Sequence, residues 1–280
     1  MKENINLIQK VISEPICHVE VIENGFHSVA YIVNNKFVFR FPRSQEFYQE
    51  YKNEAFILEQ LKPFVSVQIP VLKIHQAEGA LFTEHAYIPG VQYSQLSQAL
   101  CEVDKDILAY DLAVFLSQLH NVNISHIPYL PDEYQFNEEM VQNCSVLTNE
   151  EKTKCLSLLD TYQQYSLSEQ DVVLCHTDLN ENNFLLNNNK LVGIIDFGNA
   201  CQRNVSTEFS TLLKYDYDLT FRIVKYYQSL TGRKIDMVYA ALFQKMRCFD
   251  GIIENQDNKS QIKRYRQWIN VVETAETFIK

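Results

Sequence analysis

Three oxygen-bearing side chains in this sequence are spaced as metal-ligand and acid–base chemistry would need them. His176-Thr177-Asp178-Leu179-Asn180-Glu181-Asn182-Asn183 forms a polar loop after the apolar run Val172-Val173-Leu174-Cys175, and Asp196-Phe197-Gly198 follows thirteen residues beyond Asn183. Between them, Phe184 to Leu186 and Leu191 to Ile195 read as a hairpin turning on Asn187-Asn188-Asn189-Lys190. A turn centred on Asn188-Asn189 sets Asn183 opposite Ile194. Asp196, two residues further on, then lies on the same face, a diagonal neighbour about 7–8 Å away. Two oxygen donors on adjacent strands suit a hard cation such as magnesium, which takes one or two protein oxygens and completes its shell with phosphates and water. Read singly, both residues equally suit turn hydrogen bonds. Asp178 is the third oxygen side chain of the set.

The elements that must position these groups fall into two patterns. Up to about residue 90 the chain reads as strands with one helix. Val29 to Val33 and Lys36 to Phe41 form a hairpin around Asn34-Asn35, with Phe37, Phe39 and Phe41 on one face and Val38 and Arg40 on the other. A helical stripe over Phe47 to Leu61 places Glu54 among apolar residues, where a carboxylate is costly without a partner. Val71 to His75 and Ala80 to Tyr87 read as two more strands around Glu78-Gly79, and Pro89-Gly90 marks a boundary. Beyond it the periodicity is helical over Asp104 to His120, over Asn149 to Tyr165 and from about Thr207 to Lys280, while 121–148 is polar and carries no clear period. The expected domains are 1–90 and 91–280, the second carrying the hairpin with Asn183 and Asp196.

Composition narrows the partners. The 280 residues are 46% hydrophobic and 21% charged, which suits a folded globular chain, and seven glycines with seven prolines leave no room for a long flexible linker. A net charge of −10 argues against a nucleic-acid partner, because phosphate binding needs clustered bases. Seven scattered cysteines, none in Cys-x-x-Cys spacing, fit reduced core thiols. The N-terminal stretch lacks a secretory apolar segment, and no run approaches a membrane span. The expectation is a cytoplasmic protein without a membrane partner, acting as a monomer.

The pattern H-x-D-x-x-x-x-N followed by Asp-Phe-Gly resembles the catalytic and metal loops of kinase-like phosphotransferases. Phe39-Arg40-Phe41-Pro42, Glu54, Tyr87-Ile88-Pro89-Gly90 and Leu119-His120 are more similar to the aminoglycoside phosphotransferases, the 2''-phosphotransferases above all, than to protein kinases. The resemblance runs from about Val21 to Tyr227. It implies an α+β, two-lobed kinase-like fold with a small, mainly antiparallel β lobe and a larger helical lobe. It also implies ATP or GTP as phosphate donor with Mg²⁺, Asn183 and Asp196 as metal ligands, and Asp178 as the group that accepts or orients the acceptor's hydroxyl proton. By the same resemblance Arg40, paired with Glu54, would hold nucleotide phosphates. Gly25 and Ser28 would cover them from the loop Asn24-Gly25-Phe26-His27-Ser28. Backbone groups of Glu84, Ala86 and Ile88 would meet the purine, and His176 would brace its loop. Thr177 stands where the family commonly has glycine, Asn199 follows Asp-Phe-Gly where an acid is frequent, and Glu208 stands nearest to a helix-opening aspartate.

The short stretch from Gly198 to Glu208 holds no peptide-presenting segment, which favours a small acceptor. Up to Gly90 there are eight bases and ten acids, and beyond it seventeen and twenty-five. The excess acid suits a cationic amino sugar, with Asp216, Asp218, Asp250 and Glu254, and also Glu138 and Glu139, as candidate acceptor-binding carboxylates, and with Trp268 available to stack on a sugar or to fill a core. The reaction expected is phosphorylation of an aminoglycoside hydroxyl, conferring antibiotic resistance. The alternatives are a kinase of another hydroxylated metabolite, such as an amino alcohol or sugar, or a nucleotide-binding regulator without turnover.

Overall fold

The computed structural model describes residues 2–279 apart from 24, 26, 97–98, 123–126, 128–133 and 166–170. Its elements in chain order are α1 (Lys2–Val11), β1 (Val19–Ile22), β2 (Ser28–Val33), β3 (Phe37–Pro42), α2 (Tyr48–Leu61), β4 (Lys73–Ala77), β5 (Ala80–Ala86), β6 (Val91–Gln92) and α3 (Tyr93–Leu96). They continue with α4 (Glu102–Leu119), α5 (Glu138–Asn143), α6 (Asn149–Gln164), β7 (Val172–Cys175), β8 (Phe184–Asn187), β9 (Lys190–Ile194) and β10 (Cys201–Asn204). The last four are α7 (Val205–Leu213), α8 (Tyr217–Thr231), α9 (Met237–Glu254) and α10 (Lys259–Glu276). Two compact units result: Met1–Ala99 with Asn182–Ala200, and Leu100–Glu181 with Cys201–Lys280. The division thus falls at 99/100 rather than near 90, and the hairpin β8–β9, expected with the helices, groups with the N-terminal strands.

The first unit is built on an antiparallel sheet of order β1-β2-β3-β5-β4. Its hairpins turn on left-handed pairs, Asn34-Asn35 (φ 54° and 53°) and Glu78-Gly79 (φ 52° and 81°), as primed turns require. One helix was expected up to about residue 90; α1 is additional there. Leu7 and Ile8 of α1, with Ile12 just beyond it, share one core with Tyr31, Val33, Phe39, Phe41 and Phe82. The phenylalanine stripe of β3 therefore acquires a cover that strand periodicity could not announce. On the opposite face of β3, Arg40 meets α2. A second sheet, β6-β8-β9, completes this unit.

The second unit is helical apart from the pair β7–β10, with Cys201 opposite Cys175 and Asn204 opposite Val172. β10 was not foreseen, because Cys-Gln-Arg-Asn carries no β-branched or alternating signal. Within the polar stretch 121–148 the structure describes α5, capped by the Asn137 side chain accepting from the Met140 N–H at 2.9 Å. α6 opens on a complete capping box between Thr148 and Glu151. A core of Val141, Cys155, Leu159, Met246, Phe249, Ile252 and Ile269 joins α5, α6, α9 and α10. Cys17 and Cys101 are exposed and the other five cysteines buried, all as free thiols. No helix among the described residues is long and apolar enough to cross a membrane.

Candidate active site

In the first unit the expected ion pair is formed. Arg40 projects from β3 and its Nη1 donates to both oxygens of Glu54 on α2, at 2.8 and 2.9 Å. Glu54 is 1% exposed, and the Phe197 N–H donates to the same carboxylate. Burial pushes the Glu54 carboxyl above the usual carboxylate range against the pull of Arg40, while the nearby carboxylates of Glu54 and Asp196 hold the guanidinium firmly charged. The guanidinium also lies 5.1 Å from the centre of the Tyr51 ring, a partner with no signal in the sequence beyond its place one turn before Glu54. Its Nη2 is 3.6 Å from Oδ1 of Asp196, so one arginine ties the helix glutamate to the Asp-Phe-Gly turn. A Cβ on Gly198 would sit 3.8 Å from both Asp196 Oδ1 and Glu54 Oε2, which places that turn over the ion pair.

The hairpin that carries Asn183 and Asp196 departs from the inferred register. Asn187 pairs with Lys190 and Leu186 with Leu191, as a turn on Asn188-Asn189 demands, but Leu185 then faces Gly193 and Phe184 faces Ile194. Val192 is the extra residue of a β-bulge. Its carbonyl accepts from the Gln68 N–H at 3.2 Å, while Gly193, where a Cβ would come within 2.6 Å of Ile88, permits the close approach. Asn183 therefore lies opposite Ile195, whose N–H donates to the Asn183 carbonyl at 2.9 Å, and not opposite Ile194. Alternation no longer carries Asp196 onto the face of Asn183. A left-handed backbone at Asp196 (φ 67°) turns its carboxylate toward Arg40 instead, leaving it half exposed, while Asn183 is buried. One anionic and one neutral oxygen donor, the first open to solvent, form a donor set that fits Mg²⁺.

The remaining expected nucleotide contacts are distributed as follows. Asn24 and Phe26 lie outside the described residues. Gly25 sits against Ser28, where a Cβ would meet the Ser28 carbonyl at 2.7 Å, and its own carbonyl accepts from Arg43 Nε at 3.0 Å. Ser28 opens β2 opposite Pro42. Glu84 is flanked by ladder partners on both sides, Phe39 and Lys73, and its side chain meets His75 Nε2 at 2.6 Å. Ala86 pairs with Phe37 on β3 but lies beyond the reach of β4, and the Tyr87 N–H donates to the Lys36 carbonyl at 2.8 Å. There the buried His85 meets the Ala86 carbonyl at 2.9 Å.

Burial holds the His85 imidazole down at about 4, against the hydrogen bond to Ala86 that favours its protonated form. The unfolded chain takes up this proton near pH 6.5 and the folded chain does not, so stability is present above that pH and is lost as the pH falls toward 4. Between pH 7 and pH 5 the loss from this one group amounts to about 2 kcal/mol. Denaturant titrations at the two pH values measure it, and a His85→Asn variant should show a flatter pH dependence.

In the second unit Asp178 follows Thr177, whose φ of 64° explains why glycine is common at that position; a β-branched residue is strained there. Thr211 Oγ1 donates to the Thr177 carbonyl at 3.1 Å and fixes the strained residue. Asn180 orients Asp178 by donating from Nδ2 to Oδ1 at 3.0 Å, a role its i+2 spacing from an aspartate could have signalled. The brace of the loop is Glu208, fully buried in α7, which accepts the His176 N–H at 2.5 Å. His120 stands 3.6 Å from the same carboxylate and meets the Tyr227 hydroxyl at 2.7 Å. Burial keeps this imidazole neutral by lowering its pKa, against the pull of Glu208. Removing the carboxylate with Glu208→Ala orphans the buried His176 N–H at the start of the loop that carries Asp178 and should cost about 1–3 kcal/mol. A lower melting temperature with a fall in kcat that exceeds any change in nucleotide KM would register it.

The four candidate acceptor carboxylates separate. Asp216 caps α8 by accepting the Leu219 N–H at 2.9 Å, and Asp218 pairs with Arg222 at 3.0 Å. Glu138 and Glu139 are exposed in the first turn of α5. Asp250 and Glu254 instead line a cavity of about 580 Å³ with Trp268 and with three bases that sequence reasoning passed over, Arg203, Lys214 and Arg247. Arg247, Asp250 and Glu254 follow i, i+3, i+7 spacing on one face of α9, a signal available for the arginine as much as for the acids. The Asp178 carboxylate favours the charged form of Lys214, against the burial that lowers its pKa to about 8.

The sheet with its arginine–glutamate pair and the two polar loops define a kinase-like phosphotransferase. The chain matches the model of the phosphotransferase enzyme family (APH) over residues 18–240 and belongs to that family. Solved structures similar to it include the GDP complex of aminoglycoside 2'-phosphotransferase-IIIa, at 22% identity and TM-score 0.80, covering 100% of this chain and 99% of the other. The streptomycin–ATP–APH(2")-IIa ternary complex matches at 24% identity and TM-score 0.67, covering 94% and 93%. Spectinomycin phosphotransferase APH(9)-Ia, in complex with ADP and spectinomycin, matches at 15% identity and TM-score 0.71, covering 98% and 97%.

Proposed function

We propose that the protein transfers the γ-phosphoryl group of a nucleoside triphosphate to a hydroxyl group of a small acceptor. The observation that carries the reading is Arg40, bound to the buried Glu54 and beside Asp196, so that the cation proposed to meet phosphates also holds the carboxylate proposed to bind a metal. Arg40 meets the nucleotide's phosphates and stays charged because Glu54 compensates it. Asn183 and Asp196 hold Mg²⁺, which when bound neutralises charge developing on the transferred group. Asp178, held by Asn180, accepts or orients the proton of the attacking hydroxyl, and Glu208 keeps the loop that carries it in place. Backbone groups from Ala86 to Ile88 meet the purine of ATP or GTP. Placement matters more than proton removal here, because the loose transition state demands little of the nucleophile.

Aminoglycosides are the first acceptor class to test, since similar structures hold streptomycin with ATP and spectinomycin with ADP. A different hydroxylated metabolite is the second reading, favoured by the bases Arg203, Lys214 and Arg247 that share a cavity with Asp250 and Glu254. A coupled nucleotide-consumption assay with Mg²⁺ over aminoglycosides, sugars, sugar acids and amino alcohols separates the two. Stimulation by an aminoglycoside supports the resistance role, and stimulation by another acceptor alone removes it while keeping the kinase. Nucleotide binding without turnover on any acceptor would leave a regulator and overturn the enzyme reading.

A further inference from the structure

Three side chains of metal-ligand type meet inside the second unit. His120 follows the last turn of α4, Cys175 closes β7 and Glu208 lies in the first turn of α7. One ligand atom from each lies within 4.8 Å of the other two, and all three residues are buried. Hydrogen bonding does not use up these atoms. Glu208 Oε2 takes the His176 N–H at 2.5 Å, but Oε1 of the same carboxylate has no hydrogen-bond partner among the described residues. His120 Nδ1 meets the Tyr227 hydroxyl at 2.7 Å, whereas Nε2 stands 3.6 Å from Glu208 Oε2 and makes no hydrogen bond among the described residues. The Cys175 Sγ lies 3.8 and 3.9 Å from the Asn204 and Arg203 carbonyls, long contacts for a weak donor. Two buried polar atoms without partners, facing one thiol, are what a missing ion would leave behind.

We propose that His120 Nε2, Cys175 Sγ and Glu208 Oε1 bind a Zn²⁺ ion that holds the helical unit together. Zinc takes imidazole nitrogen, thiolate sulfur and carboxylate oxygen at about 2.0–2.3 Å in tetrahedral geometry, which sets ligand atoms about 3.3–3.8 Å apart. The cluster reaches that spacing by closing no more than about 1.5 Å. One thiolate and one carboxylate cancel the charge of the ion, so no net charge is buried. The thiol proton leaves for solvent as the sulfur–zinc bond forms. His120 then carries its proton on Nδ1 and donates it to the Tyr227 hydroxyl, which turns the Nε2 lone pair toward the metal. The mixed sulfur, nitrogen and oxygen set selects a borderline-soft ion, unlike the oxygen pair of Asn183 and Asp196 in the first unit, which suits Mg²⁺. Bound there, zinc would join the end of α4, the end of β7 and α7, and through Glu208 it would steady the His176 end of the loop that carries Asp178.

The test needs neither nucleotide nor acceptor. Full-length protein is produced in zinc-supplemented medium, purified without chelator and exchanged into excess Mg²⁺ so that sites built from oxygen alone are filled. Metal content is then measured by mass spectrometry and the surroundings of the zinc by X-ray absorption. The expected result is about one zinc per chain, with one sulfur at about 2.3 Å and two or three nitrogen or oxygen neighbours at about 2.0 Å. Replacing the exposed thiols, Cys17→Ser with Cys101→Ser, should change neither result. Cys175→Ser and His120→Gln should each lower the zinc content tenfold or more, an outcome that a merely structural role in packing would not produce. A parent protein without zinc, a zinc with no sulfur neighbour, or a zinc content indifferent to both substitutions would overturn the inference. The sulfur neighbour is read on the parent, so a variant that fails to fold does not remove the test.

Discussion

Replacing Asp178 with alanine should lower kcat by a factor of about 10²–10⁴ while leaving nucleotide affinity within a few-fold of the parent. The asymmetry follows from where the residue sits. Asp178 belongs to the helical unit, held by Asn180 and carried on a loop braced by Glu208, whereas Arg40, Glu54 and Asp196 lie in the other unit. The variant keeps every one of those contacts and loses only the group proposed to meet the acceptor's hydroxyl. Asp178→Asn keeps size and hydrogen bonding while removing the charge, so comparing the two variants separates proton acceptance from orientation. Single-turnover kinetics with titrated nucleotide is the measurement, and an unchanged rate in both variants would sink the assignment.

Glu54→Ala should be the most destabilising change in the first unit. Arg40 would stay behind with its compensating carboxylate gone, and breaking a buried ion pair from one side costs about 3–5 kcal/mol. The Phe197 N–H would lose its acceptor as well, so the Asp-Phe-Gly turn loosens with the helix. Equilibrium unfolding should show a lower midpoint, and nucleotide affinity should fall because Asp196 and Arg40 are no longer held together. A double change, Arg40→Met with Glu54→Leu, removes both charges and fills the space. It should recover much of the stability and none of the nucleotide binding, which separates the structural from the functional part of the pair. Single and double variants of equal stability would contradict this account.

How much was legible in advance depended on whether the deciding contact was local. The turns at Asn34-Asn35 and Asn188-Asn189 were readable because asparagine adopts left-handed backbone more readily than most residues, and the observed φ values are all positive. Glu54 was readable as needing a partner, and Arg40 as facing away from the phenylalanine stripe, because both follow from period alone. The bulge at Val192 was not readable, since it is set by the approach of Gln68 and Ile88 from far along the chain. One inserted residue changed which positions face each other, so the alternation argument for Asp196 failed even though Arg40 and Asp196 do come together. Glu84 was expected to meet the purine by resemblance, and its place between β3 and β4, within the sheet, was not legible from that. Net charge was equally silent on placement. It counted acids across the helical region and could not say that Asp216 caps a helix, that Asp218 pairs with Arg222, or that Lys214 and Arg247 share a cavity with Asp250 and Glu254.

The sequence alone therefore determined the chemistry on offer: the spacing of Asp178, Asn183 and Asp196, the arginine on its strand and the glutamate on its helix. These are properties of residue type and local period, and nearest neighbours along the chain suffice to express them. Tertiary structure decided what each group is paired with: the bulge and left-handed turn that bring Asp196 to Arg40, the buried Glu208 beneath His176, and the bases that share a cavity with Asp250 and Glu254. Charge and burial are fixed by whatever packs against a residue from distant segments, and those packing partners set the strength of an ion pair.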